Sequence, residues 1–460
     1  MVAATGTGRH KDGCLPRVRE PAMFRLPRTA TAPFCPSEVR GTVSIPANLP
    51  PLAKLLRYMG PGLLVSVGYI DPGNWATDIE AGSRYGYGLL FIILASSAAA
   101  MLLQSLCARL GIATGRDLAR LVRDRYSPGV AKTLWVFAEL AIIATDIAEV
   151  LGSALAFQLL LGIPLWIGVL ITALDVVIVL SLKGQGFRQL EAIMLGLVGT
   201  VAACFVVQLF LSPPDGGAVL AGMVPDATRL ADPHALYLAI GILGATVMPH
   251  NLYLHSSVVQ TRVSGPDEPA KREAMRYAQF DIIAALLAAT FVNAAILIVA
   301  GSAFHANGNT GVREIEDAYR LLEPATGAAI AAPLFGIALL ASGQSATFTG
   351  TIAGQVILEG FLDLKIPCWV RRVITRGLAL IPALIGVLLL GDGAVGRLLV
   401  LTQVVLSAGL PFAMAPLLLL SADRRLMGRF AAPAWLQAIG WLLFVAITAA
   451  NLWLVSSLFA

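Results

Sequence analysis

The sequence predicts an all-α membrane protein of about eleven transmembrane helices, arranged as two inverted halves. Three observations carry that expectation: an apolar composition, a lopsided distribution of basic residues between loops, and two apolar segments broken at corresponding positions. The 460 residues are 57% hydrophobic and 13% charged, with a mean hydropathy of +0.77, whereas a soluble domain carries about 25% charge. A chain of this length holds about a dozen spans of roughly 20 residues. The net charge of +5 and pI near 9.0 would also suit a nucleic-acid binder. The excess of Lys and Arg that orients membrane proteins accounts for it, and no nucleic-acid partner is expected. Cys14, Cys35, Cys107, Cys204 and Cys368 are scattered without CxxC spacing, which supports neither a disulfide framework nor a zinc site.

Residues 1–50 are rich in Pro, Arg, Gly and Thr and contain no apolar run; they read as a disordered cytoplasmic tail. No signal-peptide core is present. The Arg-rich, acid-poor tail also fits a transit peptide, which its prolines disfavour, and Met23 is an alternative start. Eleven apolar segments follow, at roughly 59–84, 87–108, 133–161, 163–182, 189–211, 235–260, 280–303, 328–360, 374–390, 395–420 and 433–456. With the N-terminus inside, nineteen of the 33 Lys and Arg fall on inner loops, and five (Arg84, Arg229, Arg313, Arg320 and Arg397) fall on outer ones. That asymmetry predicts a cytoplasmic N-terminus and an extracytoplasmic C-terminus, and it supports the count, since one missed segment would scramble the alternation.

The first segment is interrupted by Asp71-Pro72-Gly73-Asn74 and the sixth by Met248-Pro249-His250-Asn251. Proline and glycine break a helix, and a carboxylate in hydrocarbon costs about 2.5–3.5 kcal/mol on insertion scales. Broken backbone at membrane depth survives only where protein or a water-lined cavity covers it. The two breaks are an odd number of segments apart, so they enter from opposite sides. Paired interrupted helices in inverted halves point to a transporter's midplane site. No strong residue-level repeat links the halves, so this inference is topological.

The chemistry at the breaks suits a cation. Asp71 offers an anionic oxygen, Asn74 a neutral one, and unwound carbonyls near Gly68 and Ala245 add others; half-helix C-terminal ends carry partial negative charge. Oxygen alone would suit Mg²⁺ or Ca²⁺, while the Met248 thioether favours softer Mn²⁺, Fe²⁺, Co²⁺ or Cd²⁺. Outside an apolar segment, Asp-Pro-Gly-Asn would read as a surface turn, and a methionine in an apolar helix as packing. His250 reads as a metal ligand, a proton-handling group or a structural hydrogen-bonding residue. His255, five residues on, lies about 140° round the helix and is not expected to share a metal with it. No H-E-x-x-H is present, so a zinc protease lacks its motif.

The third segment carries Glu139, Asp146 and Glu149, spaced to share one face over about 15 Å. Such a stripe suggests a proton relay or a water-lined path. The alternative is that Glu139 and Glu149 pair with basic side chains for packing, with Arg371 and Arg372 as natural partners. Asp175 in the fourth segment reads as a helix-packing hydrogen bond. Gln403 in the tenth could ligate or line the site. Small residues at 342–347 allow close helix approach and need no substrate contact.

Together these residues resemble the Nramp family of proton-coupled divalent metal transporters, most closely its bacterial manganese transporters, over about residues 55–456. Asp71-Pro72-Gly73-Asn74 and Met248-Pro249-His250 carry the likeness, with Asp146-Ile147-Ala148-Glu149-Val150-Leu151-Gly152 and the run from Gly343 to Thr351. The resemblance implies a LeuT-type fold: inverted five-helix repeats at 51–212 and 233–421 plus an additional helix at 433–456. It implies that Asp71, Asn74 and Met248 bind the metal, joined by carbonyls at Ala245 and Gly68 and by Gln403 in some states. It places His250, Asp146, Glu149, Glu139, Arg371 and Arg372 in a proton-linked network. Gly68 departs from the Ala common in the family, a change a carbonyl ligand survives.

A metal–proton symporter of the bacterial inner membrane, with no cofactor and no obligate protein partner, is thus the leading expectation. The Arg- and Ala-rich composition, as of a high-GC bacterium, supports that location. A sodium-coupled amine or amino-acid transporter of the same architecture would need an aromatic- and hydroxyl-lined cavity. A metal-dependent membrane enzyme would need a catalytic base that no motif supplies. A uniporter or channel fits the same segments.

Overall fold

The computed structural model describes residues 40–46, 48–174, 186–263, 265, 267–364, 368–391, 393 and 395–457. Most of the expected tail (with Met23) and Asp175 lie outside the described residues, as does the side chain of Arg372. Helices dominate: α1 (Pro51–Tyr58), α2 (Pro61–Gly68), α3 (Pro72–Tyr85), α4 (Leu90–Thr114), α5 (Leu118–Arg125), α6 (Pro128–Leu161), α7 (Leu165–Ile171), α8 (Phe187–Leu211) and α9 (Gly216–Gly222) in the first half. The second half holds α10 (Pro233–Thr246), α11 (Pro249–Val258), α12 (Glu268–Ala303), α13 (Ile315–Thr326), α14 (Ala331–Leu362), α15 (Cys368–Leu390), α16 (Val395–Ala422), α17 (Arg424–Met427) and α18 (Ala434–Ser457).

Each of the eleven apolar segments contains helix. Among the described residues eight helices are long and apolar enough to cross a membrane, with shorter apolar helices at Leu165–Leu174 and Val373–Leu389. The remaining span is the broken α2–α3 pair. Local signals set the ends. Proline fills the first turn of α2, α3, α6, α10 and α11, where its missing N–H costs nothing. Gly162, left-handed at φ 68°, closes α6 as Cβ-free residues commonly do.

The breaks fall slightly earlier than expected. Helix stops at Gly68 and resumes at Pro72, so the unwound residues are Tyr69, Ile70 and Asp71; in the sixth segment they are Val247 and Met248. Pro72-Gly73-Asn74 and Pro249-His250-Asn251 are first turns of new helices, because proline starts a helix more readily than it ends one. The ninth segment also begins earlier, at Cys368 rather than 374, which places Arg376 two turns inside a helix.

The half-helices lie at the centre. α3 packs on α10, α12 and α16, and α11 packs on α2, α6 and α14, with the α6–α14 pair beside them. Large apolar side chains such as Phe210 (80%) and Leu389 (78%) face outward, as they must where the solvent is lipid. The expected unstructured stretch through residue 50 is corrected at its end. Strand β1 (Val43–Ser44) pairs in parallel with β2 (Arg262–Val263), after α11, so backbone hydrogen bonds order this stretch. Beside that pairing, buried Arg262 forks onto Glu191 of α8 at 2.6 and 3.1 Å and caps the Met59 carbonyl.

Candidate metal-ion site at the two helix breaks

A simple rule of the α-helix exposes two carbonyls here. The C=O of residue i accepts from the N–H of i+4, and a proline at i+4 has none to give. Pro72 stands four residues after Gly68, and Pro249 four after Ala245. The two carbonyls expected near the site are therefore deprived of their helical donors by the prolines that make the breaks.

Asp71 caps α3. Its Oδ1 accepts from the Asn74 N–H at 2.9 Å and from Asn74 Nδ2 at 2.6 Å, while Oδ2 is buried with no hydrogen-bond partner. Asn74 Nδ2 also donates to the Ala245 carbonyl at 3.2 Å, which links the two breaks directly. Gln403 of α16 completes this corner. A Cβ on Gly73 would lie 1.7 Å from its Nε2, so only glycine lets the glutamine lie against the break, and its Oε1 has no partner. Asp71, Asn74, Ala245 and Gln403 thus come together, all essentially solvent-free. Among the described residues no three His, Cys, Asp or Glu side chains gather into a metal cluster; the donors here are one carboxylate and neutral oxygens.

Met248 caps α11 at the second break. Its side chain is fully buried in a small apolar cluster with Ala141 and Ala144 of α6 and Leu406 of α16. Gly68 ends α2 and faces Asn251. These two candidates flank the Asp71 corner without touching it through any hydrogen bond.

Several residues that hold the corner carried no individual signal in the sequence. Asn293 of α12 donates from Nδ2 to the Tyr69 carbonyl at 2.7 Å and to Asn74 Oδ1 at 3.3 Å. The Ser342 hydroxyl donates to the Ile70 carbonyl, so the small-residue stretch of α14 does more than allow close packing. Trp75 Nε1 reaches the same carbonyl at 3.3 Å. The unwound backbone is thereby satisfied by side chains from two other helices, as membrane depth requires.

The two histidines diverge. His250 Nδ1 lies 3.3 Å from Thr145 Oγ1 on α6. His255 Nδ1 lies 2.9 Å from Gln104 Oε1 on α4, and Gln104 Nε2 donates to the Tyr69 hydroxyl at 2.8 Å. They serve different neighbours, as their spacing suggests.

The acidic stripe of α6 is partnered, and one of its partners was not expected. Arg371 Nη2 bonds both Glu139 oxygens at 2.9 Å, and Trp135 Nε1 donates to Oε1 at 3.0 Å. Glu149 faces Arg376 at 3.9 Å, both side chains solvent-free; its expected pairing with Arg372 falls on a side chain outside the described residues. Arg376 Nη2 also donates to Thr347 Oγ1 at 3.2 Å. Helical register brings Arg376 into play: in an α15 that starts at Cys368, Arg371 in the first turn meets Glu139 and the arginine two turns in faces Glu149. Asp146 and Glu149 converge on Gly350 of α14, where a Cβ would lie 3.6 Å from Asp146 Oδ1 and 2.7 Å from Glu149 Oε1.

A helical bundle with two facing breaks, one linked to the other through Asn74 and Ala245, is the arrangement a relative would have to share. Residues 62–457 match the family model of natural resistance-associated macrophage protein-like (Nramp) proteins. The chain belongs to the Nramp family. Among its Nramp relatives, the divalent metal cation transporter MntH 1 of Pseudomonas aeruginosa is 64% identical over 94% of this chain and 98% of its own. The solved manganese transporter of Eremococcus coleocola, in complex with an aromatic bis-isothiourea-substituted compound, superposes with a TM-score of 0.86 at 39% identity, covering 92% of this chain and 90% of that one. Mhp1, a nucleobase-cation-symport-1 family transporter, shares the fold alone: TM-score 0.58 at 14% identity, covering 93% of this chain and 96% of that one. The expected LeuT-type arrangement is thus the one this Nramp chain adopts.

Proposed function

We propose that this protein imports divalent transition metal ions, Mn²⁺ foremost and also Fe²⁺, Co²⁺ and Cd²⁺, into the cytoplasm by alternating access, coupled to protons. The observation that carries the reading is Asp71 Oδ2: a buried carboxylate oxygen without a partner, at the meeting of two helix breaks. Such an oxygen is costly unless a cation visits it. A carboxylate with amide and carbonyl oxygens gives a site of hard donors with low total charge, into which a thioether brings preference for softer ions. The names of the relatives, divalent metal cation transporters rather than enzymes, support the same reading.

In this reading Asp71, Asn74, Met248, Gln403 and the carbonyls of Ala245 and Gly68 hold the ion in the course of the cycle. His250, Asp146, Glu149 and Glu139, with Arg371, Arg372 and Arg376, carry the proton-linked changes. The repeats are 51–212 and 233–421, with 433–456 additional, in a bacterial inner membrane with the N-terminus cytoplasmic and the C-terminus outside. No resident cofactor, nucleic acid or obligate protein partner enters the cycle. The test is uptake of Mn²⁺ into proteoliposomes with an internal pH readout: metal entry accompanied by acidification is expected, and metal entry with no pH change removes the coupling.

Met248→Ala removes the one soft donor at the breaks. Mn²⁺ and Cd²⁺ uptake is expected to weaken, and discrimination against Ca²⁺ and Mg²⁺ to fall by more. Competition assays measure both, and Ca²⁺ competing as poorly as with the wild type would leave Met248 as packing in its apolar cluster.

Asp146→Asn is expected to reduce proton entry, or shift its pH dependence, more than it weakens metal binding. Calorimetry for the metal and a fluorescent pH probe for the proton, on the same protein, separate the two. Lost affinity with unchanged proton entry would move Asp146 into the metal's own surroundings.

A further inference from the structure

We infer that Asn251 lends an amide oxygen to the ion on the inner side of the Asp71 corner, and that residue 68 is glycine so that this amide can lie against it. The inference rests on the reading of the protein as a divalent metal transporter.

Asn251 is wholly buried, and both ends of its amide lack a hydrogen-bond partner. Each unsatisfied buried group costs about 1–3 kcal/mol. A leucine of similar size would avoid the cost, so packing gives no reason for an amide here. The side chain projects from the first turn of α11, three residues past Met248, onto the last turn of α2. A Cβ on Gly68 would lie 2.5 Å from Asn251 Nδ2 and 3.3 Å from Oδ1. The amide therefore fills the space that an alanine at 68 would claim. The Gly68 carbonyl beside it has lost its helical donor to Pro72, as argued above. Two orphaned groups, the Gly68 carbonyl and the Asn251 amide, thus stand together at the mouth between the inner half-helices α2 and α11. An ion leaving Asp71 toward the cytoplasm between these half-helices meets both. Neutral oxygens are suited to that place, because a second carboxylate would hold a divalent ion too firmly to release it.

The experiment uses full-length protein, with Mn²⁺ affinity read by calorimetry and Mn²⁺ and Ca²⁺ uptake read in proteoliposomes. Asn251→Leu, close in shape, is expected to lower Mn²⁺ affinity by roughly tenfold, the equivalent of about 1.4 kcal/mol. Gly68→Ala, by displacing the amide, is expected to do the same, and the double variant to be no worse than either single one, the non-additivity of two residues acting through one contact. Asn251→Asp is expected to tighten binding, slow release and admit Ca²⁺. Wild-type affinity in folded Asn251→Leu, or additive losses in the double variant, would overturn the inference. Should Asn251→Leu fail to fold, Asn251→Asp decides: unchanged Ca²⁺ competition overturns it. Wild-type protein that moves no Mn²⁺ would overturn the transport reading instead, whereas wild-type uptake with indifferent variants overturns this inference alone.

Discussion

Asp71→Asn protein is expected to fold, to insert and to lose Mn²⁺ uptake by about 100-fold or more. The substitution keeps shape and size and removes one charge. In the structure Asp71 Oδ1 accepts two hydrogen bonds from Asn74, and an asparagine carbonyl oxygen can keep both. What disappears is the anionic Oδ2, which has no protein partner to lose. Stability should therefore hold or rise, since an uncompensated buried charge is removed. Binding should collapse, because every other donor at the corner is neutral. A loss of a few kcal/mol of ion stabilisation corresponds to about 100-fold at roughly 1.4 kcal/mol per decade. Initial uptake rates beside a thermal melt of the same preparation measure both arms, and near-normal uptake in a well-folded variant would sink the site.

The second large effect is on stability. Arg376→Ala is expected to destabilise the protein by about 3–5 kcal/mol, the cost of breaking a buried ion pair from one side. Arg376 and Glu149 are both solvent-free, so water cannot take over the arginine's share in compensating the carboxylate, and Asp146 converges on the same place. Adding Glu149→Gln removes the charge that Arg376 faces and should restore much of the loss. The comparison is of melting temperatures in one detergent for the wild type, Arg376→Ala and the double variant. An Arg376→Ala melt equal to the wild type would show that the pair carries no structural weight, and a double variant worse than the single would place the cause in packing rather than charge.

The two variants differ in how far each was legible in the sequence. Asp71 stands out at once, as a carboxylate beside proline and glycine inside an apolar run. Arg376 does not. It sits two residues into an apolar segment, where a basic residue reads as the end of a loop. The sign that it belongs to a helix is α15's early start at Cys368, which the arginines at 371 and 372 obscure in a hydropathy window. The same holds for the breaks themselves. Their existence follows from Pro72 and Pro249, but their exact residues do not, since proline is as much a helix starter as a helix breaker.

What the sequence by itself determined is what local chemistry fixes. Hydropathy over windows of about 20 residues gave the spans, the loop arginines and lysines predicted their orientation, and two prolines marked the interruptions and freed the carbonyls of Gly68 and Ala245. Glu139, Asp146 and Glu149 share a face because helical periodicity leaves no alternative. What only the tertiary structure decided is which distant groups meet. Asn74 reaches Ala245 across 171 residues, and Asn293 reaches Tyr69 across 224. His255 chooses Gln104 and not His250, and Glu149 meets Arg376, which the sequence did not mark as a partner. No periodicity encodes such pairs, because they depend on the rotation and register of helices packed side by side. A shift of one residue in where a helix begins turns every side chain on it by about 100°.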